Sequence, residues 1–184
     1  GLLLLASMLT TEVHGEYSST QQYFGKLLLF LTIAIIQAII VAVGDLYLLK
    51  IYCVNPVLFV IGSVFTSIIF TFILYSLVSV LGNVGKVLGI VLLVIQIGGS
   101  GGTFPIQLTP KFFQIIHPFL PFTYAISFAR EAIGGVVQNV LMQDVIVLLV
   151  YGAIFILISI FLKKPINKLL HGFKESVENS GIGE

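Results

Sequence analysis

Long uninterrupted runs of apolar residues restrict this chain to very few folds. Three of them match the roughly 20 residues that a helix needs to cross a bilayer, and they extend over Leu27–Leu49, Val57–Leu81 and Asp144–Leu162. A fourth run, Val87–Gly99, is short for a crossing and follows a predicted tight turn over Gly82–Lys86. Because backbone groups in lipid must find hydrogen-bond partners within the protein, these runs predict an all-α fold, a polytopic membrane helix bundle.

The composition agrees with this prediction. Hydrophobic residues make up 58% of the 184 residues and charged residues only 9%, against roughly 25% charge in ordinary soluble domains. So little polar surface cannot cover a globule in water, and the lipid bilayer is therefore the expected surrounding. The net charge of +1 gives no reason to expect a nucleic acid partner. Cys53 is the only cysteine, which excludes an intrachain disulfide.

The sequence contains no set of side chains that indicates catalysis. The histidines His14, His117 and His171 are far apart in the expected topology, so we predict no metal site. No carboxylate pair, Ser-His-Asp set or Cys-His pair falls on one membrane side at a common depth. We therefore expect no catalytic residue, no cofactor and no enzymatic activity.

The first residues also indicate how the chain is organised. Gly1 opens the run GLLLLASMLTT, which is too short to cross a bilayer, and no basic segment precedes it as in a signal peptide. We expect this run to be the end of a helix whose upstream half is missing. The prediction is then about five transmembrane helices, the first one truncated, in a membrane domain of residues 1–162. Residues 163–184 form the predicted cytoplasmic tail.

The orientation follows from lysine and arginine in the short connections, because these residues are enriched on the cytoplasmic side. Alternation of the spans places Lys50, Lys111 and Arg130 on one side. The other side receives six cations, Lys26, Lys86, Lys163, Lys164, Lys168 and Lys174. We therefore expect a plasma membrane protein with a cytoplasmic C-terminus, in which residues 98–143 face outward.

The stretch IQIGGSGGTFPIQLTPKFF, residues 95–113, interrupts the apolar pattern. Glycine permits dihedral angles that other residues resist, and proline removes a backbone donor. GGSGG is also what an engineered linker contains, but a membrane helix and a Phe-rich return flank it here. We therefore predict a re-entrant helical hairpin of the outer leaflet, about residues 102–135, in which the second short helix starts at Pro121. Its candidate gate residues are Gly98, Gly99, Gly101, Gly102, Pro105, Pro118 and Pro121.

Arg130 and Glu131 are the only charges of the predicted hairpin apart from Lys111. A charge at the bilayer centre costs about 2.5–3.5 kcal/mol on insertion scales, so such residues usually face a cavity or a partner. Two interpretations remain open. Both side chains could reach the headgroups and anchor the short helix, or they could belong to a gate or a substrate path.

Several polar residues lie within the apolar spans. For Gln37 and Gln96 we consider interhelical hydrogen bonds and the lining of a cavity. A stripe of small polar residues on the second span includes Ser63, Thr66 and Ser67, and it favours close helix packing or a pathway.

The segments SGGTFPIQLTP, HPFLPFTYA and REAIGG resemble the C-terminal membrane domain of the YhgE/Pip (phage infection protein) family, within the type-2 ABC exporter permeases. LGNVGK and Gln96 support the resemblance, and the order of the spans extends it over most of the chain. It implies one further N-terminal helix and a large extracellular domain in the full protein. It also implies that residues 12–25, the predicted cytoplasmic loop after the truncated helix, contact a separate ATPase. No G-x-x-x-x-G-K-[ST] motif is present, so any use of ATP would need such a partner.

Two functions are compatible with these features. The first is a transport or secretion permease module that exports an amphipathic or lipid-like substrate, with a homodimer as the expected assembly. The second is a membrane anchor or scaffold for a missing extracellular domain. The resemblance links such a domain to phage adsorption or to type VII secretion components in Gram-positive bacteria.

Overall fold

The computed structural model describes the backbone of residues 19–179 and the side chains of residues 24–161, except that of residue 83. The predicted truncated helix at Gly1 lies outside the described residues, as do residues 10–18 and 180–184. Residues 19–179 contain no strand and form six α-helices: α1 (Ser19–Tyr47), α2 (Pro56–Leu81), α3 (Asn83–Gly99), α4 (Lys111–Ile116), α5 (Pro121–Gly134) and α6 (Gln138–Asn179). Short 3-10 turns at Ile106–Leu108 and His117–Phe119 flank α4.

The predicted fold class, an all-α membrane helix bundle, is confirmed. Among the described residues, Phe24–Tyr47, Pro56–Leu81 and Gln138–Phe161 are long and apolar enough to cross a membrane. Helix α3 has 17 residues, about 25 Å at 1.5 Å per residue, which agrees with the predicted short run. Residues Lys111–Phe119 and Pro121–Gly134 form a pair bent by 77°, as in a broken span or a re-entrant loop.

Three local predictions differ from the structure. The turn predicted over Gly82–Lys86 consists of Gly82 alone, whose φ of 57° reverses the chain. Helix α3 already begins at Asn83. The predicted loop over residues 12–25 is helical from Ser19 onward. The last helix begins at Gln138 rather than Asp144 and continues to Asn179, so most of the predicted tail is helical. In each case the helix extends through polar residues, which hydropathy alone excludes from a span.

Helix α2 is the centre of the bundle and packs against α1, α3, α5 and α6. Its residues Ile69 and Ile73 form the main apolar core with Ala125 of α5 and Leu148 of α6. A second cluster joins Phe59 of α2 to Ala42 of α1 and Ala132 of α5. Helix α2 is apolar all round rather than amphipathic, as expected for a helix that contacts neighbours on several sides within a membrane domain.

Helix α5 runs antiparallel along the first half of α2. Near its start the ring of Phe122 lies 4.8 Å from the ring of Phe70. Its end reaches the start of α2, where the Asn55 amide donates to the Ala132 carbonyl over 3.0 Å. Phe70 lies about 20 Å along the helix axis from Pro56. The hairpin therefore descends well into the bundle and returns to the end from which α2 starts.

Candidate functional site

The glycine break after α3 is closely packed. Helix α3 ends with a hydrogen bond from the Ser100 amide to the Gln96 carbonyl. A Cβ on Gly99 would stand 2.6 Å from the Leu120 Cδ1, and one on Gly102 would stand 2.6 Å from the Ile126 Cδ1. Gly101 has a φ of +72°, in the left-handed region that other L residues rarely adopt. A Cβ at Gly99 or Gly102 would therefore push aside the Leu120 or Ile126 side chain, and a Cβ at Gly101 would strain the backbone.

Two side chains of the hairpin bind carbonyl oxygens of the break. The His117 Nδ1 lies 2.6 Å from the Gly99 oxygen, and since a carbonyl only accepts, Nδ1 carries the proton. The Arg130 Nη2 donates to the Gly101 oxygen over 2.6 Å. The structure thus brings Arg130, which we predicted as an anchor or a gate residue, onto the predicted break. These bonds satisfy one carbonyl at the end of α3 and one in the break, neither of which lipid could satisfy.

The turn between α4 and α5 is satisfied in the same way. The Thr123 hydroxyl donates to the His117 carbonyl over 2.7 Å, and the Tyr124 hydroxyl donates to the Pro118 carbonyl over 2.8 Å. The Phe119 carbonyl accepts the hydroxyl of Tyr151 on α6 at 2.9 Å. Side chains rather than a continuous backbone ladder therefore support the bend that Pro118 and Pro121 introduce.

Glu131 points to a different place from Arg130, although the two residues are adjacent. Its carboxylate accepts a hydrogen bond from the Val137 amide and so fixes the Gly134–Gly135 connection before α6. Adjacent helical residues diverge by about 100°, which explains why each of the two charges binds its own backbone group.

Two cavities lie beside the hairpin. The larger one has a volume of about 230 Å³ between α2 and α5 and is lined by Phe59, Gly62, Ser63, Thr66, Phe122, Ala125, Ile126, Phe128 and Ala129. The smaller one has about 120 Å³ and is lined by Ile97, Ser100, Gly102, Thr103, Phe122 and Ile126. Phe122 and Ile126 belong to both linings and form the wall between them. Ser63 and Thr66, two of the predicted pathway residues, thus face a mostly apolar space.

The other predicted polar residues of the spans have separate surroundings. The Ser67 hydroxyl donates to the Ala34 carbonyl of α1 over 3.0 Å, which is an interhelical hydrogen bond. Gln96 is 2% exposed within α3, whereas Gln37 is half-buried on α1. Neither glutamine lines the two cavities. The cavity-lining interpretation of Gln37 and Gln96 therefore gains no support from these two spaces.

Sequence reasoning missed Asp144, which we read as the first residue of a span. It lies inside α6, is 3% exposed, and hydrogen-bonds to the side chain of Ser127 on α5. Its second oxygen, Oδ2, has no hydrogen-bond partner among the described residues. The available signal was an ionisable residue within a membrane segment, which usually faces the bundle interior.

Comparisons with known proteins agree with this membrane architecture. A family model described as ABC-2 family transporter protein matches residues 14–161. The uncharacterized protein YhgE of Bacillus subtilis (strain 168) is 33% identical over 136 residues, which cover 73% of this chain and 18% of that protein. The chain therefore spans less than a fifth of the length of that relative. No solved structure matches.

Proposed function

The chain belongs to the ABC-2 family of transporter proteins, and we propose that it is the permease module of an exporter for an amphipathic substrate. The similarity to YhgE confirms the resemblance that the hairpin segments indicated. The observation that carries the proposed substrate class is the 230 Å³ cavity between α2 and α5, whose lining is apolar apart from Ser63 and Thr66. Such a lining suits a hydrocarbon chain better than a polar solute.

The re-entrant hairpin is the gate of this proposed pathway. It closes one end of the bundle, and the bonds of His117 and Arg130 to the glycine break hold it there. Side-chain hydrogen bonds can exchange during a conformational change without unwinding a transmembrane helix. The glycine backbone then provides the freedom for the movement.

The remaining parts of the proposal concern the assembly. A separate ATPase subunit supplies the energy, because membrane domains of the ABC-2 family typically work with such a subunit. Two copies of the chain form the pathway as a homodimer. The distribution of lysine and arginine over the connections supports a cytoplasmic C-terminus.

A cavity-filling variant tests the proposal. We would express the full-length protein with its cellular partners and prepare inside-out membrane vesicles that contain an NBD-labelled phospholipid. ATP-dependent protection of the label from dithionite measures outward movement. Thr66→Phe places a ring in the larger cavity and should lower the rate at least about tenfold. Ile61→Phe is the matched control, because Ile61 lies on the same helix and is 58% exposed.

The outcome separates two functions. Loss of transport in Thr66→Phe with normal transport in Ile61→Phe supports a pathway beside the hairpin. Equal transport in both variants and the parent protein contradicts the cavity as part of the pathway. If vesicles with and without the protein protect the label equally, while the protein still supports phage adsorption or secretion, the anchor function is favoured.

A further inference from the structure

One face of α5 combines an apolar wall with a cation. Phe122, Ile126 and Arg130 are spaced by four residues, so they follow one another along the same face of the helix. Phe122 and Ile126 line both cavities. Arg130 follows them on the same face, toward the C-terminal end of α5. Arg130 also binds the Gly101 carbonyl, directly beside Gly102 of the smaller cavity. The guanidinium therefore lies at the rim of the apolar space.

At this rim Arg130 has N–H groups that are not used in hydrogen bonds within the described residues. A guanidinium carries five N–H groups, and within the part of the chain that the structure describes its hydrogen bond is to the Gly101 oxygen alone. The residue is exposed, and the neighbouring Glu131 is bound to the Val137 amide. Arginine is especially suited to bind phosphate through two parallel hydrogen bonds.

The surface of the hairpin indicates where a ligand would come from. Large apolar side chains around it are exposed, with Phe104, Phe112, Ile115 and Phe119 between 58% and 71% exposed. Exposed groups of this kind on a membrane domain face lipid. The larger cavity, at about 230 Å³, is smaller than the roughly 300–1,000 Å³ of a pocket for a drug-sized molecule. It suits a single chain rather than a bulky ring system.

We propose that this face of α5 binds an anionic phospholipid of the surrounding bilayer. The headgroup phosphate pairs with Arg130, and one acyl chain lies against Phe122 and Ile126. Because Arg130 also holds the Gly101 carbonyl, a bound lipid fixes the guanidinium and, through it, the glycine break. The site shares Phe122 and Ile126 with the proposed pathway, but it concerns a resident lipid, whose binding does not require transport.

Lipid binding by the purified full-length protein tests this site. Native mass spectrometry after incubation with an equal mixture of phosphatidylglycerol and phosphatidylcholine counts the bound molecules of each lipid. We expect Arg130→Gln to lower phosphatidylglycerol binding about tenfold, the size of effect expected for a lost hydrogen bond between charged groups. Lys111→Gln is the matched control, because it removes the same charge from α4, away from both cavities.

A second measurement distinguishes a loss of lipid binding from a failure of the variant to fold. Phosphatidylglycerol should raise the thermal unfolding midpoint of the parent protein and of Lys111→Gln, but not that of Arg130→Gln. Arg130→Lys keeps the charge and loses the two-pronged geometry, so its lipid binding should be intermediate.

Three results would overturn the proposal. One is equal phosphatidylglycerol binding by Arg130→Gln and the parent protein. Another is an equal loss in Lys111→Gln, which would indicate a diffuse surface charge effect. The third is displacement of the lipid by millimolar glycerol 3-phosphate, which would show that the headgroup alone binds. Binding is measured without ATP, so a failure here leaves the test of export unaffected.

Discussion

Gly62 of α2 and Phe128 of α5 are in direct contact, and the Phe128 ring occupies the position that a Cβ on Gly62 would take. This contact lies beside the larger cavity, which both residues line. It sets how closely α5 approaches the central helix. The width of the cavity therefore depends on the absence of a side chain at Gly62.

Gly62→Ala should separate α2 from α5 or rotate the Phe128 ring. Overpacking of this kind usually costs about 1–3 kcal/mol, so we expect the thermal unfolding midpoint in detergent to fall by several degrees. Gly25→Ala is the control, because nothing lies within 4 Å of a Cβ at that helical position, and alanine favours a helix. An unchanged midpoint in Gly62→Ala would mean that the two helices are not packed this closely.

Gly101→Ala should affect the break without affecting membrane insertion. The φ of +72° costs a residue with a Cβ roughly 1–2 kcal/mol. Gly101→Asn should be milder, because asparagine visits this conformation more readily. We expect the order parent, Gly101→Asn, Gly101→Ala for outward movement of the labelled lipid in the vesicle assay. The reverse order for the two variants would contradict a left-handed conformation at this position.

Tyr151→Phe removes the hydroxyl that α6 donates to the Phe119 carbonyl. The ring remains, but the Phe119 carbonyl loses its donor, and a polar group left unsatisfied in a membrane domain costs about 1–3 kcal/mol. Protease sensitivity of the hairpin should rise relative to the parent protein. Tyr47→Phe provides a comparison, because Tyr47 is 76% exposed and its hydroxyl should be dispensable. Equal sensitivity of the two variants would exclude the bond from Tyr151 as a support of the turn.

Asp144→Asn should raise the thermal unfolding midpoint. The amide keeps an oxygen for Ser127 but removes a buried charge that the nearby Glu131 carboxylate repels, and burial of an uncompensated charge is costly. Asp45→Asn is the control, because Asp45 is only half-buried near the end of α1. A lower midpoint in Asp144→Asn would indicate that the carboxylate has a favourable partner in the assembled protein.

Hydropathy and proline position were sufficient to predict most helices. The run Val57–Leu81 corresponds to α2 at Pro56–Leu81, and the segment predicted to start at Pro121 became α5. Both signals are local, because a span needs a certain number of apolar residues and a proline fits the first turn of a helix. The short third helix and the bent hairpin followed from the same reasoning.

Long-range relationships could not be predicted in this way. Arg130 lies 29 residues after Gly101, the residue that it binds, and only the path of α5 along α2 brings them together. Asp144 appeared to be a helix end because hydropathy alone cannot show that a first turn begins six residues earlier. The role of Tyr151 depends on where the turn at Phe119 falls, which in turn depends on tertiary packing.

The hydroxyl groups on α2 have a consequence for biosynthesis. The Ser63 hydroxyl donates to the Phe59 carbonyl and the Thr71 hydroxyl to the Ser67 carbonyl, both over 2.8 Å and within the same helix. The Ser67 hydroxyl donates to the Ala34 carbonyl of α1, a helix that leaves the ribosome earlier. These three hydroxyls therefore need no partner from α3, α5 or α6 when α2 partitions from the translocon into lipid. Each of these three groups depends only on chain that has already been synthesised.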